Sequence, residues 1–291
     1  MRPATSRREF IGVLAAAALP GSLPVFAQGS VLPVNTPGLD HLDVIVPDVE
    51  KSARFYMGLF RTTLHAQPFQ GGQRYFVLLG PLPANRTVGY LAIGDSRGRG
   101  TYIGHFCTSV ADWRRDSAAV FAQLKEKVSA ARFGEFNTGG GIGGIFKDPD
   151  GIEIQLLPSP DTLVTAAVPS ALVPAEQGMV TPLRVDSALL KVSNMDHALE
   201  FYRILYGKET RRARDSAVFE FRNGSRLLLE STSYAYGNSQ ARIARYGIRV
   251  REFDRAAVKQ LIPTLGGTVV ADDGKALRLR DVDGIELELL A

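Results

Sequence analysis

The sequence predicts an α+β fold, because one strand–turn–helix pattern begins each half of the body. Residues 39–60 and 185–207 both start with alternating apolar residues and continue into an amphipathic stretch that contains Phe-Tyr. Pro47 and Asp48 in the first segment, and Asn194 in the second, are typical of a turn before a helix. The two segments therefore predict two copies of one structural unit.

The two halves also end alike. Residues 146–157 and 279–290 both contain an Asp-x-Asp-Gly turn, followed by a strand in which apolar and polar residues alternate. Each half has a further strand and helix in between, predicted at 105–110 with 113–127 and at 246–250 with 254–265. Prolines, alanines and serines interrupt the periodicity between the halves. We predict an N-terminal extension at 28–38, a first domain at 39–157, a linker at 158–182 and a second domain at 183–291.

The composition is that of a globular protein, with 45% hydrophobic and 22% charged residues. Cys107 is the only cysteine, which excludes an intramolecular disulfide and a zinc site built on paired thiolates. The formal net charge is +4, and three arginines near the N-terminus contribute to it. The rest of the chain is close to neutral, so we expect no nucleic-acid partner.

Residues 1–27 have the pattern of an export signal. Arg7 and Arg8 precede Phe10 and a short apolar run that ends at Leu19. The paired arginines resemble those of a twin-arginine signal, which directs folded proteins across the bacterial inner membrane. We expect cleavage after Ala27, a periplasmic or secreted mature protein, and no stable membrane anchor; an uncleaved anchor is the alternative.

Two sequence words indicate a family. LDHLDVIVPDVEKSARFY near the start and DPDGIEIQLL at the end of the first domain resemble the vicinal oxygen chelate superfamily. This superfamily includes glyoxalase I, the bleomycin and fosfomycin resistance proteins and the extradiol dioxygenases. The resemblance covers residues 39–157 and 185–291. It implies four βαβββ modules, paired into two half-open barrel domains.

The resemblance also implies metal-ligand positions on the first and last strand of each module. In the first domain these positions fall on His41, His105 and Gln155, and near Tyr90. Strand alternation places His41 opposite the apolar face of its strand, toward the cleft. Two imidazoles and an oxygen donor would suit a divalent ion such as Fe, Mn, Co, Ni or Zn.

The third ligand departs from the family pattern, which usually has a glutamate where Gln155 stands. A neutral amide oxygen should hold a dication less tightly than a carboxylate does. Glu153 lies two residues earlier, and hence on the same strand face. It is a candidate general base, an alternative carboxylate ligand, or a solvated residue at the mouth of the barrel.

The second domain lacks histidine at the corresponding positions. These positions fall on Ser187, near Glu230, on Tyr246 and on Glu288. They would form a poor metal site, so we expect the second domain to be structural or to cover the substrate. In the family's extradiol dioxygenases the metal tends to lie in the C-terminal domain, whereas the better site here is N-terminal.

Three residues of the first domain are candidates for substrate contact, namely Arg74, Tyr75 and Tyr90. Cys107 shares a strand face with His105, but a lone cysteine on an apolar strand is usually a core residue. The predicted partner is a small molecule. Repeated modules can also exchange between chains, which would give a homodimer.

Three functions follow from these patterns. The first is a divalent-metal-dependent isomerase, lyase or ring-cleaving dioxygenase that acts on a substrate with two vicinal oxygens. The second is a non-catalytic protein that binds or sequesters a small molecule, as in the bleomycin-resistance branch. The third is a scaffold that binds a partner but no small-molecule ligand, and no sequence feature supports it.

Overall fold

The structure is a computed structural model that describes residues 30–69, 71–80, 89–128, 144–158, 168–176, 178–232 and 242–291. The predicted export signal, residues 1–27, lies outside the described residues. We use "N-terminal half" for strands β1–β7 with their helices, and "C-terminal half" for strands β8–β15 with theirs.

The N-terminal half contains seven described strands and two helices. Its strands are β1 (Gly38–Val46), β2 (Leu64–Phe69), β3 (Gly72–Leu79), β4 (Gly89–Asp95), β5 (Tyr102–Val110), β6 (Gly144–Lys147) and β7 (Glu153–Pro158), and its helices are α1 (Val49–Leu59) and α2 (Trp113–Lys127). A short 3-10 turn, Ser170–Leu172, lies in the segment between the halves.

The C-terminal half contains eight described strands and two helices. Its strands are β8 (Pro182–Val192), β9 (Arg211–Ala213), β10 (Ser216–Glu220), β11 (Arg226–Ser231), β12 (Arg242–Val250), β13 (Thr268–Asp272), β14 (Ala276–Arg280) and β15 (Glu286–Leu290), and its helices are α3 (Met195–Tyr206) and α4 (Arg255–Thr264).

The strands of the described residues form one curved, mixed sheet that does not close. In the N-terminal half the order is β2-β3-β4-β1-β5-β7-β6, and in the C-terminal half it is β9-β10-β11-β8-β12-β15-β14-β13. A single residue pair, Ile103 with Ile243, joins β5 to β12. The predicted α+β class with half-open barrels is confirmed.

Local sequence signals explain the helix starts. Asp48 caps α1 by accepting a 2.9 Å hydrogen bond from the backbone N–H of Lys51. Asn194 caps α3 in the same way, accepting from the N–H groups of Asp196 and His197. Each helix then buries an apolar stripe, which includes the Phe-Tyr pair noted in the sequence, against the convex face of the sheet.

Two buried tyrosine–aspartate pairs connect the halves. Tyr202 of α3 donates to Asp148 in the turn before β7, and Tyr56 of α1 donates to Asp281 in the turn before β15. Each aspartate also accepts backbone N–H groups within its own turn. The first aspartate of each Asp-x-Asp-Gly motif therefore shapes a turn and fastens it to the opposite half.

No helix in the described part of the chain combines the length and the apolar composition needed to cross a bilayer.

Candidate metal centre

Three polar side chains of the N-terminal half meet on the concave side of the sheet. His41 lies in β1, His105 in β5 and Gln155 in β7, and β5 hydrogen-bonds to both of the other strands. The core residues beside them, such as Leu42 and Phe106, point to the opposite, convex face. Strand pairing thus brings together three residues that are far apart in the sequence.

His41 is at the centre of this group. Its Nε2 atom lies 3.2 Å from Nε2 of His105 and 3.0 Å from Oε1 of Gln155. Both imidazoles are almost fully buried, with exposed fractions of 2% for His41 and 6% for His105. The three predicted ligand residues are therefore in mutual contact.

The other nitrogen of each imidazole faces a carboxylate. Nδ1 of His41 lies 2.9 Å from Asp40, and Nδ1 of His105 lies 3.4 Å from Asp43. Because an ionised carboxylate only accepts hydrogen bonds, Asp40 and Asp43 favour the tautomer in which Nδ1 bears the hydrogen and Nε2 presents a lone pair. The carboxylates therefore set both the tautomers and the ring orientations.

His105 is neutral at pH 7. Burial lowers the pKa of its imidazole to about 4. The nearby His41 and Arg74 also lower this pKa, while Asp43 and the Gln155 side chain act in the opposite direction. A neutral imidazole is the form that binds a metal ion.

In this tautomer three acceptor atoms point at one another: two imidazole lone pairs and one amide oxygen. Acceptors packed this closely repel unless a proton or a metal ion lies between them. Two ligands at right angles, each about 2.1 Å from an ion, are separated by about 3.0 Å. The separations of 3.0 and 3.2 Å match that value. The residues present therefore fit a divalent metal ion.

A second set of donor atoms also includes His41. Asp40, His41 and Cys107 each offer a ligand atom, and these atoms lie within 4.8 Å of one another. Cys107 is buried and pairs across the strands with both His41 and Gln155. The chain therefore contains a group of residues that can hold a metal, with His41 common to both sets.

Tyr90 holds the imidazole of His41 in place. The two residues are direct partners across β1 and β4, and their rings stack with centroids 4.2 Å apart. Phe76 packs edge-on against the ring of Tyr90, with a centroid distance of 5.2 Å. Tyr90 thus lies at the site as expected, but its ring supports His41.

Arg74 and Tyr75 do not share a face, because successive residues of a strand point to opposite sides. Arg74 lies on the concave side, where its Nη2 atom is 2.5 Å from Asp43. Tyr75 is buried in the core, and burial raises the pKa of its phenol. The structure therefore brings Arg74 to the site and places Tyr75 away from it.

A cavity of about 410 Å³ opens next to His105. Arg74 and Asp43 contribute to its wall, and Glu153 lies at its edge beside His105 in the paired strands. The Glu153 carboxylate is partly exposed and lies 3.7 Å from the ammonium group of Lys147. Glu153 therefore lines the cavity beside His105 and lies outside the cluster of candidate ligands.

The cavity residues that sequence reasoning missed include Phe69, Arg97, Arg99 and Tyr102. Arg97 has a left-handed backbone with φ of 50°, and its N–H bonds to Asp95 at 2.8 Å. The Arg-Gly-Arg-Gly segment after β4 could have indicated these arginines in the sequence, because its glycines permit a tight turn at the cavity edge.

The C-terminal half fills the corresponding positions with an ion pair. The pairing of β8 with β12 repeats that of β1 with β5. Ser187 lies opposite Gly247, as His41 lies opposite Cys107, so Ser187 corresponds to His41. Arg245 lies opposite Leu189, as His105 lies opposite Asp43, so Arg245 corresponds to His105. Arg245 Nε lies 3.0 Å from Glu288. A guanidinium group cannot bind a metal, so the described residues there form no equivalent centre.

In the C-terminal half the observed strand register places other residues at two of the expected ligand positions. Arg245, not Tyr246, corresponds to His105, because Tyr246 points into the core and its hydroxyl lies 2.8 Å from that of Tyr56. Arg226, not Glu230, lies opposite Ser187, as Tyr90 lies opposite His41. Glu230 forms an ion pair with Lys191 instead.

Comparison with known proteins agrees with this architecture. Residues 38–156 match the family described as the glyoxalase/bleomycin resistance protein/dioxygenase superfamily. A search of curated proteins found no match.

Solved structures with the same fold include three enzymes at low sequence identity. The 2,3-dioxygenase LapB from Pseudomonas sp. KL28 is 12% identical with a TM-score of 0.63, covering 89% of this chain and 93% of its own. The Mn(II)-bound glyoxalase from Novosphingobium aromaticivorans is 12% identical with a TM-score of 0.63, covering 88% and 82%.

The third is homoprotocatechuate 2,3-dioxygenase from Brevibacterium fuscum, solved with 3,4-dihydroxyphenylacetate. It is 14% identical with a TM-score of 0.61, covering 89% of this chain and 81% of its own. The N-terminal half is thus similar in sequence to the glyoxalase/bleomycin resistance/dioxygenase superfamily, and the chain as a whole shares its fold with ring-cleaving dioxygenases and a glyoxalase.

Proposed function

We propose that this chain is a divalent-metal-dependent enzyme that acts on a small substrate with two vicinal oxygen atoms. The ligands would be His41, His105 and Gln155, and the substrate would occupy the cavity beside His105. The convergence of three acceptor atoms is the observation that supports the proposal most directly. The reaction class is that of an isomerase, lyase or ring-cleaving dioxygenase.

The metal, when bound, would supply positive charge that holds the two substrate oxygens and stabilises developing negative charge. The chain's own groups have separate tasks. Asp40 and Asp43 orient the two imidazoles through their Nδ1 atoms. Arg74 holds Asp43 in place through its ion pair.

Glu153 is the proposed general base. Its carboxylate is partly exposed at the cavity edge, and its strand position is next to His105. A partly exposed carboxylate can take a proton from a bound substrate and release it to water. The aromatic rings of Phe69 and Tyr102 would contact the apolar part of the substrate.

A binding protein without catalysis is the second candidate. Gln155 supports it, because an amide oxygen binds a dication more weakly than a carboxylate. The ion pair between Arg245 and Glu288 supports it as well, because it leaves the chain with one candidate centre among its described residues. Such a protein would bind its ligand equally well in the presence of a chelator.

Export through the twin-arginine route and a periplasmic location are part of the proposal, and they rest on the pattern of residues 1–27. Assembly into a homodimer is proposed on the precedent of repeated folds.

Metal content per chain tests the proposal. The protein from Gln28 onward would be purified without chelator or nickel affinity, alongside a His41→Ala/His105→Ala variant. His197→Ala is the matched control, since His197 is an exposed histidine at the start of α3. We expect about one metal ion per chain in the wild type and the control, and none in the double variant.

The same preparations would be screened for turnover of catechols and other vicinal-oxygen compounds. Absence of metal from the wild type, even after incubation with Fe(II), Mn(II), Co(II), Ni(II) and Zn(II), would refute the metalloenzyme. Metal in the wild type with unchanged metal in the double variant would refute the ligand assignment.

A further inference from the structure

The C-terminal half has an arginine cluster around one buried carboxylate. Asp186 in β8 has no exposed surface, and three arginines surround it: Arg184, Arg226 and Arg249. Nη2 of Arg249 is 2.8 Å from the carboxylate, and Nη2 of Arg184 is 3.9 Å away. Three partly buried guanidinium groups thus surround a single buried carboxylate.

Strand geometry puts this cluster on the concave face. Asp186 is the extra residue of a β-bulge in β8, between Ser187 and Val185 in the pairing with β12. Val185 and Ile248 point into the core, so the flanking arginines point the other way. Asp40 has the same bulge position in β1, where it orients His41.

The hydrogen-bond donors of the cluster outnumber the acceptors it contains. A guanidinium group has about five N–H donors, whereas one carboxylate offers about four lone pairs. Arg249 finds one more acceptor, the main-chain oxygen of Ala291 at 3.0 Å. The Nε atom of Arg184 is buried and has no hydrogen-bond partner among the described residues. A buried, unsatisfied donor is costly unless an acceptor reaches it.

The cluster is also open to solvent. The side chains of Arg184, Arg226 and Arg249 are 34%, 26% and 30% exposed. Partial burial strengthens their attraction for an anion, because the local dielectric is lower than that of water. Guanidinium groups form paired hydrogen bonds with carboxylate and phosphate oxygens.

We propose that Arg184, Arg226 and Arg249 form a binding site for a small oxyanion, a phosphate or carboxylate group. The two halves would then differ in sign: the N-terminal concave face collects acceptors that suit a cation, and the C-terminal face collects donors that suit an anion. The site is independent of the metal centre, so it stands or falls separately from the proposed function.

Titration with phosphate and with succinate, followed by thermal unfolding of chelator-treated protein from Gln28 onward, tests the site. Sodium chloride at matched ionic strength measures general screening. We expect phosphate or succinate at tens of millimolar to raise the unfolding midpoint by roughly 3 °C above the chloride arm. Whichever anion acts at lower concentration identifies the preferred group.

Two variants locate the site, and a third is the matched control. Arg226→Gln and Arg184→Gln should each raise the dissociation constant for the preferred anion about tenfold or more. Arg184→Gln is the safer of the two for folding, because its guanidinium lies farther from Asp186. Arg211→Gln, on the exposed edge strand β9, should leave the constant unchanged. Equal shifts in the chloride arm, or unchanged constants in both cluster variants, would overturn the proposal.

Discussion

The hydroxyl of Tyr202 donates a 2.8 Å hydrogen bond to Oδ2 of Asp148, and this contact joins α3 of the C-terminal half to the turn before β7. Asp148 also accepts the N–H groups of Asp150 and Ile152, so one buried carboxylate holds both a turn and a helix. Tyr56 and Asp281 repeat the arrangement with the roles of the halves exchanged. These two buried polar contacts thus help to hold the halves together.

Removing the Tyr202 hydroxyl should destabilise the protein. Tyr202→Phe keeps the packing of the ring but leaves the Asp148 carboxylate without one of its donors. A hydrogen bond to a charged buried group contributes about 1.5–3 kcal/mol, so at pH 8, where the Asp148 carboxyl is ionised, we expect the free energy of unfolding to fall by about that much. Chemical denaturation measures it, with Tyr102→Phe, at a side chain 38% exposed, as the control. Equal losses in the two variants would contradict a special role for the contact.

Asp148 should also make stability depend on pH. Burial raises the pKa of its carboxyl to about 7, while hydrogen bonds from Ile152 and Tyr202 oppose the shift. The folded protein therefore holds a proton between about pH 4 and 7 that the unfolded chain has lost. This contribution to stability is complete below about pH 4 and disappears as the pH rises through 7.

The measurement is unfolding free energy at pH 5, 6, 7 and 8 for the wild type and Asp148→Asn. Asparagine cannot ionise, so the wild type should lose more stability than the variant between pH 5 and 8, by roughly 1–3 kcal/mol. Parallel profiles would mean that Asp148 ionises with an ordinary pKa in the folded state.

The candidate ligand positions could be predicted from sequence because the family resemblance indicates them, and strand alternation then gives the face on which His41 lies. His41, His105 and Gln155, the three positions that the resemblance implies, meet in the structure. Ala244 is the extra residue of a bulge in β12, just as Gly104 is in β5, and the residue directly after each bulge faces the cleft: His105 in β5 and Arg245 in β12. An inserted residue reverses the alternation beyond it, and no single-sequence pattern marks its position.

Long-range contacts were also beyond sequence reasoning. The Phe-Tyr pairs and the Asp-x-Asp-Gly turns were both visible as motifs, but their pairing across the halves depends on how α1 and α3 pack. The role of Arg74 likewise needed its partner, since the ion pair with Asp43 makes it a support for His105.

Arg74 should influence metal affinity without touching the metal. Arg74→Met retains the aliphatic part of the side chain but removes the charge that holds Asp43, so His105 loses its orienting partner. Changes of this kind weaken metal affinity about 10–100-fold. Titration of metal-free protein measures the effect, and Arg54→Met, at a half-exposed pair with Glu50 on α1, is the control. Unchanged affinity in Arg74→Met would show that Asp43 does not depend on it.

Substitution of Gln155 separates a ligand from a bystander. Gln155→Glu replaces an amide oxygen 3.0 Å from His41 with a charged carboxylate, which should tighten metal binding about tenfold or more. Glu153→Gln changes a carboxylate on the same strand face but outside the cluster, so metal affinity should stay the same while turnover falls. Isothermal titration with Mn(II) and Fe(II) gives both affinities. If Glu153→Gln lost the metal and Gln155→Glu did not strengthen it, the carboxylate of Glu153 would be the third ligand.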